Sequence, residues 1–149
     1  MATLTPTLTL QSTTIFPDQP LNLSVTDTLT VVAPMSDISR MSTNDDIGFG
    51  AGVIIDELDQ NEYFIYIKHT GKLSSDGTTA AHATNDFVLV GNGDGDAAAD
   101  NIKLFNGEFA FFPIVGNNDS SDDGVEVGGL AITKGGADIQ VEYAYYKRG

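Results

Sequence analysis

Apolar and polar positions alternate along most of the chain, and a period of two puts successive side chains on opposite faces of an extended strand. No segment sustains a 3.6-residue period, so the pattern predicts an all-β protein. In Thr3 to Leu10, the residues Leu4, Leu8 and Leu10 share one face with threonines on the other. Pro6, which has no N–H, restricts that strand to an edge or a bulge. Leu21, Leu23 and Val25, then Leu29 and Val31, predict one or two further strands. The text PMSDISR from Pro34 to Arg40 is irregular and fits a helical turn as well as a strand. Tyr63 to Ile67 (YFIYI) is apolar on both faces, which predicts a central strand covered on both sides. Asp86 to Val90, Ile102 to Phe105 and Glu108 to Ile114 continue the strand pattern, and Asn106-Gly107 predicts a two-residue hairpin between the last two. Ile139, Val141, Tyr143 and Tyr145 alternate against Gln140, Glu142, Ala144 and Tyr146, predicting a final strand that ends at Lys147.

About nine or ten short strands separated by Gly, Asn and Asp clusters predict a single antiparallel β-sandwich, jelly-roll-like or Greek-key, with an extended N-terminal arm. A chain of 149 residues fits one domain. Residues 1–34 stand apart in composition, rich in Thr and Leu and holding four of the five prolines. They read as an arm that packs on a neighbouring subunit, or as an ordinary first strand pair of a sandwich whose body is 35–149.

Composition narrows the classes. There are no cysteines, so disulfides, thiol catalysis and thiolate metal sites are excluded. Seven Lys plus Arg against 21 Asp plus Glu give a formal net charge of −14, which argues against a nucleic-acid partner because groove binding needs clustered cations. The same excess keeps copies apart in dilute salt and is screened in a saline medium. MATLTPTLTLQSTT lacks a basic segment followed by an apolar run, and no window resembles a membrane span. The expectation is a protein without a standard export signal and without a membrane anchor.

The candidate chemistry is thin. In Gly91 to Asp100 (GNGDGDAAAD), Asn92, Asp94 and Asp96 match the first three ligand positions of an EF-hand loop. Ala97 then stands where that loop needs glycine, and Lys103 where it needs a bidentate glutamate, so the EF-hand reading fails. A looser calcium site on Asp94, Asp96 and Asp100 stays open beside a solvated turn. Asn117 to Gly124 is a second acidic loop with the same two readings. Gly48 to Val53 has glycine at every second position and no following helix, unlike a dinucleotide-binding turn. The two histidines, His69 and His82, form no recognisable catalytic motif, and His69 beside Lys68 reads as an exposed or capped residue at a strand end. Of the 13 aromatics, most read as core; Tyr146 is the one expected at the surface, as a subunit contact.

The blocks MATLTPTLTL, LNLSVTDTLTV followed by DISR, FIYIKHT, NGEFAFFPI and VEYAYYKRG, in this order, resemble small virion structural proteins of marine tailed bacteriophages, including those that infect cyanobacteria. The segment from Leu73 to Asp100 is not covered by the resemblance. It implies a non-enzymatic assembly component without cofactor. The first expectation is a capsid decoration or cement protein on the outer surface of the virion, made in the host cytoplasm, with the major capsid protein as partner and a homo-trimer or other homo-oligomer as its state. A tail, neck or fibre-base component is the second expectation, and a calcium-assisted carbohydrate-binding module the third. On the first, Leu4, Leu8, Leu10 and Tyr146 are the expected interface residues.

Overall fold

The computed structural model describes residues 1–14, 20–44, 53–55, 61–91, 102–114 and 130–149; among them twelve strands form, no helix does, and every strand pairing is antiparallel. The main sheet runs in the order β1 (Ala2–Leu4), β4 (Leu29–Met35), β12 (Ile139–Arg148), β7 (Tyr63–Leu73) and β10 (Phe109–Ile114), and β5 (Ser39–Ser42) also pairs with β12. A second sheet runs β6 (Val53–Ile55), β11 (Leu130–Gly135), β8 (Phe87–Gly91), β9 (Ile102–Leu104). β2 (Thr7–Ser12) and β3 (Leu21–Thr26) form a separate pair. Ile65, Ile67, Ile139 and Val141 of the main sheet and Val88, Val90, Leu104 and Ile132 of the second belong to one buried cluster. Two curled sheets closed on a shared core make the expected sandwich-like all-β fold.

β7 is the central strand that its doubly apolar sequence predicts, paired with β10 on one edge and β12 on the other. Tyr63, Ile65 and Ile67 point into the core, while Phe64, on the opposite side, is also buried. The PMSDISR segment is neither a helical turn nor a continuous strand. β4 and β5 lie end to end against the same edge of β12, and Ser36 spans the break: its N–H donates to the Tyr145 carbonyl (3.0 Å) and its hydroxyl accepts from the Tyr145 N–H (2.9 Å).

The Asn106-Gly107 hairpin requires correction. The turn is present, with the Glu108 N–H donating to the Phe105 carbonyl at 2.9 Å, but β9 pairs with β8 in one sheet and β10 with β7 in the other. A two-residue hairpin of type I′ needs positive φ at both central residues. Here only Gly107 has it, at +84°, so the turn bends the chain across the sandwich. Gly107 and Glu108 together face His69 as a bulge: the Gly107 N–H donates to the His69 carbonyl, and the His69 N–H to that of Glu108.

Candidate docking face

The first strands form one long ribbon. Ala2 pairs with Val31, Leu4 with Leu29, Leu8 with Val25 and Leu10 with Leu23, all in a single register. Pro6 breaks the first strand into β1 and β2, yet its carbonyl still accepts from the Asp27 N–H at 3.1 Å. The near end of the ribbon is built into the main sheet through β4. The far end, β2 with β3, pairs only within itself among the described residues.

Because residues directly opposite in an antiparallel pair share a face, the far ribbon has two unlike sides. One is polar and internally bonded: the Thr7 and Thr26 hydroxyls are 3.0 Å apart, and the Gln11 amide donates to Asn22 at 3.4 Å. The other carries Leu8, Leu10, Leu23 and Val25, which keep 47%, 43%, 41% and 51% of their surface exposed. Full burial of such a side chain is worth about 1.5–3 kcal/mol, so roughly 3–5 kcal/mol per copy is unrealised on this face.

Register carries this side onto the outer face of the main sheet. Val31 lies opposite Arg148, Tyr146 opposite both Met35 and Phe64, Ala144 opposite Tyr66, and Phe111 opposite Tyr66. Val31, Phe64 and Ala144 are buried there, apart from the cluster between the sheets. Phe109 and Phe111 project from β10 with 60% and 38% exposure, Phe111 stacked on Phe64 at 6.3 Å and Phe109 tilted against Tyr66 at 6.4 Å. Met35 is exposed on the same face.

The charges on this side offset one another. The Tyr66 hydroxyl donates to Glu142 (3.0 Å), whose other oxygen is 3.6 Å from the Arg40 guanidinium; burial first, and the carboxylate second, push the Tyr66 phenol up. Arg148 pairs with Glu62 at 3.0 Å and lies over the Phe64 ring. In a chain of net charge −14, this is a face where cations and acids are close to balance.

The expected interface residues fall on it: Leu8 and Leu10 exposed, Leu4 half-buried beside Leu29, and Tyr146 half-buried on the outer face of the main sheet. Among described aromatics the exposed rings are Phe109 and Phe111 rather than Tyr146. Sequence reading also passed over Leu23 and Val25 as partners of Leu10 and Leu8, although matching alternation on two segments joined by a Pro-rich stretch was a usable signal. For Phe109 and Phe111 the alternation in FAFFPI is apolar on both sides, and only the edge position of β10 exposes one of them.

His69 is fully buried in mid-strand, contrary to its reading as an exposed strand end. The Gly71 N–H donates to its Nδ1 at 2.9 Å, which leaves Nε2 to donate to the Asp86 carbonyl at 3.2 Å. Burial pushes the imidazole pKa down. The Asp86 carboxylate accepts from the Ala137 N–H (3.0 Å) and the His82 N–H (2.7 Å), and these bonds hold its pKa below the ordinary value. This network ties β7, the loop before β8 and the β11–β12 turn together and has a structural role. Asp76 is held well below the usual carboxylate range by the Thr79 hydroxyl and by the Thr78 and Thr79 N–H groups, an exposed turn of the same kind.

No cluster of three or more His, Cys, Asp or Glu able to hold a metal occurs among the described residues. The candidates Asp94, Asp96 and Asp100, the acidic loop 117–124 and the glycines of 48–52 lie outside those residues. A depression of about 190 Å³ lined by Arg40, Met41, Ser42, Ser74 and Gln140 is shallow and brings no pair of catalytic groups together. Compared with known proteins, the chain matches no family model, no curated protein and no solved structure.

Proposed function

We propose that this protein is a non-enzymatic virion structural protein of the capsid-decoration type, which docks on the outer head shell and stabilises it. The observation that carries the reading is the gathering of exposed Leu8, Leu10, Leu23, Val25, Met35, Phe109 and Phe111 on one side of the molecule, away from the core between the sheets. Large exposed apolar side chains gathered on one side, rather than scattered singly over the surface, mark a place where another surface docks. The major capsid protein is the proposed partner, in a homo-trimeric or other homo-oligomeric arrangement, and the near-balance of charge on this side suits contact between acidic subunits.

Quantified bands of purified particles test the proposal. Decoration predicts hundreds of copies per particle and loss of attachment in a Phe109→Ser, Phe111→Ser double variant. A few to tens of copies would instead favour a tail, neck or fibre-base part. One observation favours a carbohydrate-binding reading, namely the exposed Phe109 and Phe111 rings beside the Tyr66–Glu142–Arg40 chain. That reading predicts glycan binding and, if Asp94, Asp96 and Asp100 take part, a melting temperature that drops on chelation of calcium.

A further inference from the structure

Among the described residues the far ribbon pairs with no further strand, and the four apolar side chains on one of its faces stay about half exposed. An isolated two-stranded hairpin is marginal in water, and further strands or a packed face are needed to hold it. We infer that the face formed by Leu8, Leu10, Leu23 and Val25 is the seam on which two copies of this chain associate, ribbon packed face to face on ribbon. The inference deepens the assembly reading and rests on it for the premise that this side becomes covered; what it adds is the occupant of its ribbon part, a second copy, which leaves Met35, Phe109 and Phe111 of the main sheet for the shell.

Charge selects that occupant. Each copy carries −14, so two copies repel wherever their acids meet. Residues 1–14 and 20–26 contain no charged side chain at all, and Asp27 follows only where the ribbon enters the body. The strands of two far ribbons therefore meet without opposing charges, Asp18 in the connecting segment being the one acid between β2 and β3 in sequence. Shape points the same way. Leu8 opposite Val25 and Leu10 opposite Leu23 form a two-by-two block of branched side chains of similar size, which is complementary to a copy of itself across a two-fold axis. Packed at the usual sheet separation, the pair makes a small four-stranded sandwich with both threonine-rich faces outward.

The absence of native cysteine makes the test direct. A Leu10→Cys variant of the full chain, mildly oxidised at tens of micromolar, should form a disulfide-linked dimer, and Leu23→Cys should do the same. Thr9→Cys, on the polar face, should stay unlinked. The Leu10→Thr, Leu23→Thr double variant should raise the dissociation constant measured by sedimentation more than tenfold, with the near-ultraviolet dichroism of the tyrosines unchanged. A wild-type chain that is monomeric at these concentrations, or linkage of Thr9→Cys as readily as Leu10→Cys, overturns the seam. A threonine variant that self-associates like wild type but no longer attaches to particles also overturns it, and leaves the assembly reading standing. Ribbon-dependent association of a protein never found in particles would keep the seam and sink that reading.

Discussion

His69 and Asp86 show how single side chains couple the fold to pH. The folded His69 pKa lies below its ordinary value of about 6.5, so as pH falls the unfolded chain takes up that proton first. Its stabilising contribution is complete above about pH 6.5 and is lost as pH drops through the lowered folded pKa. Asp86 adds a second acid loss: its contribution holds above about pH 3.9 and disappears as pH falls through its depressed folded pKa. The gap in denaturation midpoint between wild type and Asp86→Asn should therefore narrow as pH falls through the folded Asp86 pKa, and a gap that stays the same from neutral pH into strong acid would contradict the network. Comparison with the variant separates this loss from the relief of repulsion near the isoelectric point of about 4.1. At neutral pH, Asp86→Asn should cost about 1–3 kcal/mol, because one of the two bound backbone donors then faces an amide NH₂. This network was illegible in the sequence. Lys68-His69-Thr70 reads as a polar strand end, and only the continuation of β7 to Leu73 beneath the second sheet buries the imidazole.

At the scale of elements, periodicity sufficed wherever one face was buried. The central strand β7 and the final strand β12 follow from alternation, whereas the single strand read from Thr3 to Leu10 is divided at Pro6 into β1 and β2. Pairing partners did not follow, since two adjacent strands can join one sheet or separate into two with the same local pattern. The Phe105–Glu108 turn shows the difference. Adding a Cβ at Gly107 meets no atom within 4 Å, so Gly107→Ala should cost about 1–2 kcal/mol from the left-handed backbone alone. At Gly71, with φ +78°, a Cβ would fall 2.0 Å from Asn106 Oδ1, and Gly71→Ala should destabilise more, as read from urea midpoints. Equal costs at the two positions would mean that Asn106 moves aside freely.

For the whole molecule, charge and exposed apolar surface act together. A chain at −14 is destabilised by self-repulsion in dilute buffer, so its melting temperature should rise as sodium chloride is increased towards seawater ionic strength. A melting temperature indifferent to salt would show that the acids are already neutralised. Screening should also strengthen association through the uncharged ribbon, because it weakens the repulsion between the bodies while apolar contact is largely insensitive to salt.

By itself the sequence determined the class of secondary structure, the alternation of each strand and the acidic, cysteine-free character of the chain, because these depend on local geometry and composition. It also marked Leu4, Leu8 and Leu10 as one face. Tertiary structure alone decided that Leu23 and Val25 complete that face, that Phe109 and Phe111 look outward, and that His69 is buried. Each of these depends on which strand lies alongside which, and pairing between residues far apart in the chain is settled by closing a common core, which no local pattern specifies.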